Sequence, residues 1–184
     1  MFLIKNESLY AERRYLVIHF SYLHKYEFKK YSKKLFAILT DNMAQIAPTG
    51  DTKEDAYKTW YKAVKEGLQK TERQIILITS NGIENIIGFF QYYTNKDTFM
   101  MEEIQIIADY QGTNNIFRSL YQFVLSNLHP NIIFVEAYAN KHNHKSNGIL
   151  TKMGLSIIGT NKDDSCFHYR GNYHDLLNWY HHMK

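Results

Sequence analysis

The chain has 184 residues and a mass of 21.8 kDa, enough to bury about 70% of its unfolded surface around a core; length alone favours one domain. Hydrophobic residues make up 45% and charged residues 22%, and there are only 2 Pro and 9 Gly, which excludes a mainly disordered or Pro/Gly-rich chain. The single Cys166 excludes an internal disulfide framework or a Cys-rich zinc site and is compatible with a reducing cytosol. A net charge of +4 is too small to argue for nucleic acid. The amino terminus meets Lys5 and Glu7 too early for a secretory segment. The longest apolar runs, such as Ile75–Ile78, are far too short to cross a bilayer. These features point to a cytoplasmic protein.

In chain order, residues 2–5 suit a short strand and residues 8–47 read as mostly helical. Phe28, Tyr31, Leu35 and Ile38 recur at helical spacing, with Lys29, Lys30, Lys33 and Lys34 largely on the other side. Pro48-Thr49-Gly50 breaks this pattern, and Asp51 with Glu54 reads as a capping box for a helix carrying Tyr57, Trp60, Val64 and Leu68. Arg73–Thr79 and Asn85–Thr94 are strand-like runs joined by the hairpin signal Ser80-Asn81-Gly82. Thr98–Ala108 reads as a third strand. A helix over 114–128, with Phe117, Leu120, Val124 and Leu128 on one face, stops at Pro130. Ile132–Ala139 forms a strand with Ile133, Val135, Ala137 and Ala139 on one side. A short helix over 144–152 ends at Gly154. Segments 155–160 and 165–170 make a closing hairpin, and Tyr173, Leu176, Leu177 and Tyr180 mark a terminal helix. The strand–helix–strand unit over 98–139 requires a crossover, so its strands are expected to be parallel. The fold class is α/β (α+β), with a mixed sheet.

The chemistry concentrates where the third strand meets the next helix, at Ile104 to Ile116. A helix start presents unpaired N–H groups and a positive dipole end, which suits a pyrophosphate. Gly112 lets backbone approach a ligand, and Asn114 tolerates positive φ. Taken alone, this turn reads equally well as an ordinary strand–helix connection. It has neither the Gly-Lys-Ser/Thr of a P-loop nor the glycines of a dinucleotide fingerprint. A second segment, Asn143-His-Lys-Ser146-Asn-Gly-Ile149-Leu150-Thr-Lys152-Met-Gly154-Leu155, lies 27 residues on from Ile116.

Together the two segments resemble the GNAT superfamily of acetyl-CoA-dependent N-acetyltransferases. In that family a strand ending L-x-V is followed by Q/R-x-x-G-x-G/A; here Ile104 and Ile106 fill the strand positions and Gln111 starts the loop. The family's N-x-x-A/S-x-x-L-Y-x-K-x-G-F is matched in register by Asn143, Ser146, Ile149, Lys152, Gly154 and Leu155. The resemblance spans roughly residues 75–170. It implies one domain over 1–184, with a variable, mostly helical substrate-side region (1–72), an acetyl-CoA-binding core (73–170) and a C-terminal helix (171–184). The core would hold a central parallel strand pair in a mostly antiparallel sheet flanked by helices.

The resemblance also implies roles. Backbone groups of Ile106 would pair with the pantetheine arm. N–H groups of Gly112, Thr113, Asn114, Asn115 and Ile116 would hold the pyrophosphate. Asn143 would bond the pantetheine, and Ser146 would lie near it. A backbone N–H near Ile107 would stabilise the developing oxyanion. Three positions depart from the pattern. Asn114 and Ile116 replace two glycines, and the Ile116 side chain is expected to crowd the phosphate. Leu150 replaces the tyrosine that protonates the departing thiolate.

Glu102 and Glu103 precede the apolar strand positions. An amine attacking a thioester must lose a proton, and a carboxylate is a reasonable general base. Strand alternation puts the two on opposite faces, unless a bulge shifts the parity. A salt-bridged strand edge accounts for either residue equally well.

None of the nine histidines has zinc-ligand spacing, so no metal is expected. The lysines of 29–34 read most simply as a solvated face, which argues against nucleic acid. Tyr10, Tyr15, Tyr22, Tyr26 and Tyr31 pack the first helices or line an acceptor pocket, and Tyr92, Tyr93 and Tyr138 are further candidate linings. The reading is an acetyltransferase acting on a primary amine, with acetyl-CoA as co-substrate, no membrane partner, and a homodimer left open. The alternative is a CoA-binding regulatory module with weak or absent transfer.

Overall fold

The computed structural model describes residues 17–48, 50–70, 73–82, 84–113 and 115–182. The strand expected over 2–5, the start of the helical stretch, Tyr10, Tyr15 and Asn114 lie outside them. Among the described residues one seven-stranded sheet runs in the order β1-β2-β3-β4-β5-β7-β6.

The first described element is a strand, β1 (Ile18–Tyr22), where a helix was expected. Ile18, Phe20 and Tyr22 alternate with the exposed His19 and Ser21, a period of two that suits a half-covered edge strand. It pairs antiparallel with β2 (Arg73–Ser80). Between them lie α1 (Phe28–Met43) and α2 (Lys53–Gly67). The cap of α2 is one residue later than expected: the Thr52 hydroxyl accepts from the Asp55 N–H at 3.2 Å and donates to the Asp55 carboxylate at 2.7 Å.

β2, β3 (Ile86–Asn95) and β4 (Thr98–Ile106) form the antiparallel meander. A 3-10 turn (Ala108–Tyr110) leads to α3 (Ile116–Leu125), which crosses over to β5 (Phe134–Asn140). β4 and β5 are parallel, as a crossover connection requires. α4 (His144–Lys152) ends where Gly154 takes φ +86°, with the Leu155 N–H returning to Leu150 O at 3.1 Å. β6 (Ser156–Thr160) and β7 (Cys166–Asn172) form the closing hairpin, and α5 (Tyr173–His182) ends the described chain. β7, not β6, lies beside β5.

Each face of the sheet carries its own core. Ile76, Ile78, Phe90, Phe99 and Ile106 pack against α3, α4 and α5 through Leu120, Val124, Leu150 and Leu176. Ile75, Leu77 and Phe89 pack against α1 and α2 through Phe28, Tyr31, Leu35 and Val64. β2 reads as an unbroken apolar run because both of its faces are covered. Ile133, expected beside Val135, Ala137 and Ala139, precedes β5 and is exposed.

Candidate active site

The parallel pair is joined only over Thr98–Met101 and Phe134–Ala137. Both strands continue past that point but away from one another. β4 stays on β3 to Ile106, and β5 stays on β7 to Asn140. The sheet therefore splits between its two central strands at the level of Glu102 and Tyr138.

The ladder decides which groups line the split. The Ile107 N–H donates to Ile87 O at 2.8 Å, so Gly88 and Ile106 form a non-hydrogen-bonded pair. Antiparallel ladders alternate. The amides of Glu103 and Gln105 thus turn toward β3, and those of Ile104 and Ile106 turn toward the split. The same bond commits the Ile107 amide to β3, so the expected oxyanion donor there is corrected: the split-facing amides are those of Ile104 and Ile106. The Ile106 carbonyl accepts from Gln111 Nε2 at 2.8 Å and from Asn42 Nδ2 at 3.0 Å.

β4 carries a bulge opposite Gln91 and Tyr92, where Glu102 is the extra residue. Phe99 and Met101 belong to the α3 side, and so do Ile104 and Ile106 after it. The parity switch brings both acids to the α1/α2 side, correcting the alternation that separated them. Glu102 is tied to Arg73 of β2 (Nη2–Oε1, 2.5 Å) and to Gln91 (Nε2–Oε2, 2.9 Å). Arg73 also lies 5.1 Å from the centre of the Tyr93 ring. Burial raises the Glu102 carboxyl above its ordinary value against the opposing pull of Gln91 and Arg73. Among the described residues no cation pairs with Glu103; its Oε1 accepts from Gln105 Nε2 at 2.6 Å. Withdrawal from water pushes its carboxyl up to about 7; the Gln105 bond opposes this, and the Glu102 charge adds to it. One acid is spent on a guanidinium, and the other is poised to exchange a proton near neutrality.

Past β4, Gly112 takes φ +74° and Asn115 φ +52°, so the chain reverses through two left-handed residues before α3 begins. The Ile116 side chain is 2% exposed and lies in the core. The expected crowding of a phosphate by Ile116 is thereby corrected, because α3 turns that side chain inward. The Ile116 N–H donates to Thr113 O at 3.2 Å, so that amide is taken up by the turn, and among the described residues the Gly112 and Asn115 amides donate no backbone bond.

The second segment meets the first here. Asn143 caps α4 by accepting from the Ser146 N–H at 3.0 Å, a bond that uses its oxygen and spares its two N–H donors. Lys145 Nζ reaches Gln111 Oε1 at 2.6 Å, tying α4 to the turn across the mouth of the split. Leu150 is buried in the core, so no hydroxyl stands in its place. Lys145, Arg73, Gln105 and Asn42 escaped the sequence reading. Lys145 sits inside the second motif and was the one open to detection; Arg73 gains meaning through Glu102, 29 residues away, and Asn42 through Gln105, 63 residues away.

The remaining candidates disperse. Tyr31 and Tyr92 are core residues, and Tyr26 is exposed. Tyr138 is half-exposed and stacks on His168 at 4.3 Å, whose Nε2 lies 2.9 Å from Glu136. Lys29, Lys30, Lys33 and Lys34 are exposed. Among the described residues no group of three or more His, Cys, Asp and Glu could hold a metal, and no helix is long and apolar enough to cross a membrane.

No protein-family model matches the sequence, and no curated protein does. Solved structures do match the fold. The PaiA N-acetyltransferase of Thermoplasma acidophilum, solved in complex with coenzyme A, superposes with a TM-score of 0.67 at 12% identity, over 85% of this chain and 99% of that one. A GNAT-family acetyltransferase from Staphylococcus aureus gives 0.65 at 12% identity, over 85% and 99%. An acetyltransferase from Thermus thermophilus gives 0.63 at 14%, over 85% and 97%. The split between β4 and β5, the turn into α3 and the shared architecture converge: this chain has the fold of the GNAT acetyltransferases, the superfamily its two sequence segments resemble.

Proposed function

We propose that the protein is a cytoplasmic N-acetyltransferase that moves an acetyl group from acetyl-CoA to a primary amine by direct attack. The observation that carries this reading is the divergence of β4 from β5 after Met101 and Ala137, which leaves the Ile104 and Ile106 backbone without a neighbouring strand. An extended pantetheine arm can take that strand's part. The Gly112 and Asn115 amides and the positive end of α3 suit the diphosphate. Asn143 would donate to the pantetheine, Ser146 would lie beside it, and Lys145 would add a cation at the mouth. Gln111 would release the Ile106 carbonyl to the arm and follow Lys145. Residues 73–170 would supply this cofactor half, residues 1–72 the acceptor side, and residues 171–184 a closing helix.

Acetyl-CoA supplies an activated thioester whose thiolate leaves readily near neutral pH. Glu103 takes the proton that the amine sheds as its bond to the acetyl carbon forms. A carboxyl titrating at about 7 is matched to that task. Glu102, neutralised by Arg73, shapes the bulge and holds β4 to β2. An amide of Ile104 or Ile106 is the donor toward the developing negative charge. Solvent protonates the departing thiolate where Leu150 offers no acid.

The buried Leu150 also favours a second reading, a module that retains CoA without efficient transfer. Calorimetry with acetyl-CoA, followed by thiol release across a panel of primary amines, separates the two. Binding with turnover supports the enzyme, binding without turnover supports the module, and absence of binding overturns both. In the active case Glu103→Gln loses the acid limb of the pH–rate profile near pH 7 and about 100-fold or more in rate, whereas Glu102→Gln keeps that limb.

A further inference from the structure

A chain of amide side chains runs from the last turn of α1 to Glu103. Asn42 Nδ2 donates to Gln105 Oε1 at 2.7 Å and to the Ile106 carbonyl at 3.0 Å, and Gln105 Nε2 donates to Glu103 Oε1 at 2.6 Å. The polarity of this chain is not free. A backbone carbonyl can only accept, so the Asn42 atom facing Ile106 O must be the NH2. The Gln105 atom facing that NH2 must then be its oxygen, which turns the Gln105 NH2 onto the carboxylate. One main-chain oxygen thus fixes two amide orientations that would otherwise be interchangeable.

We propose that Asn42 and Gln105 form a one-way donor relay that sets the orientation and basicity of Glu103, making Asn42 a positioning residue for the proton transfer and coupling the end of α1 to the base. This rests on the reading of Glu103 as the base. The relay engages Oε1 with one donor and leaves Oε2 without one among the described contacts, which favours Oε2 for an incoming proton and as the oxygen the acceptor amine approaches. It also favours the ionised carboxylate, since the Gln105 NH2, polarised by the donation of Asn42 to its oxygen, donates to it. The charged groups near Glu103 are Glu102 on β4 and, through Glu102, Arg73 of β2 and Lys70. α1 contributes the neutral Asn42, and β3 contributes the neutral Gln91 at the register position opposite. Gln105 is buried and α1 packs over this end of the sheet, so a shift of α1 on acceptor binding would reach Glu103 through two hydrogen bonds.

The test follows the Glu103 carboxyl by carbon-13 NMR titration in the CoA-free protein, alongside the pH–rate profile of thiol release. Asn42→Ala should raise the carboxyl midpoint by about half to one pH unit, move the acid limb of the rate profile by the same amount, and leave KM for acetyl-CoA within about two-fold of wild type. Asn42→Ser, which restores a donor, should recover part of both shifts. An Asn42 that only braces α1 would lower the melting temperature and leave the midpoint in place, and that result overturns the relay. Gln105→Met, similar in shape and lacking the donor, gives the same reading if Asn42→Ala does not fold. A midpoint that moves while the rate profile stays fixed supports the relay and refutes Glu103 as the base.

Discussion

Replacing Glu103 with Gln tests the electrostatics of the site without requiring any substrate. Glu103 and Gln have the same shape, and the Gln carbonyl can still accept from Gln105, so packing is conserved and only the charge is removed. In the folded chain the carboxyl is pushed from its ordinary 4.5 up to about 7. A carboxyl raised in this way holds its proton more tightly when folded than when unfolded. Between these two values the native state binds more protons, so stability falls as pH rises. Below about 4.5 both states are protonated and the group contributes nothing; above about 7 the full penalty applies. Two and a half units correspond to about 3 kcal/mol, an upper figure because the side chain keeps some contact with water. Urea unfolding of wild type and Glu103→Gln from about pH 4.5 to 8.5 measures it. The variant should gain up to about 3 kcal/mol over wild type across this interval, with an unchanged denaturant slope. Glu102 titrates in both proteins, but losing the neighbouring Glu103 charge lowers its midpoint, so the measured difference includes the coupling between the two acids. Parallel stability curves would mean that Glu103 is solvated like a surface carboxylate, and the case for a base poised near neutrality would fall with it.

Four further substitutions probe the scaffold. A Cβ at Gly88 would overlap the Gln105 backbone oxygen, which cannot swing aside, so Gly88→Ala should force β3 from β4 and cost about 3 kcal/mol in chemical denaturation. At Gly67 the overlap is with the Arg73 guanidinium, which can move; Gly67→Ala should cost only about 1 kcal/mol but free Glu102 and raise its titration midpoint by NMR. Gly112 has open space around it and φ +74°, so Gly112→Ala should destabilise by about 1 kcal/mol through backbone strain alone and weaken CoA binding by calorimetry. Lys145→Met removes the cation beside Gln111 and should weaken CoA binding about five-fold, with a shallower salt dependence.

Local pattern determined most of the elements. The apolar runs of β2 and β3, the Asn81-Gly82 reversal, and the helix from His144 to its glycine stop are each set by residues within a few positions of one another, and propensity and capping act at that range. The parallel pairing of β4 with β5 was also legible, because a strand–helix–strand connection leaves little alternative. β1 shows that the period-two signal of Ile18, Phe20 and Tyr22 can be masked by a long helical pattern beside it. The inward turn of Ile116 depends on where α3 starts, and that is set by the left-handed Asn115. The site itself was legible only as a list of residues. Whether Glu102 and Glu103 share a face depends on one extra residue in β4, and a bulge is decided by pairing with β3, not by the strand's own sequence. Which acid stays free depends on Arg73 arriving from β2 and Asn42 from α1. The sequence determined that a turn suited to phosphate follows a strand bearing two acids. Only tertiary packing decided which acid keeps its charge available, because ion pairing and exclusion of water act between segments that are distant along the chain.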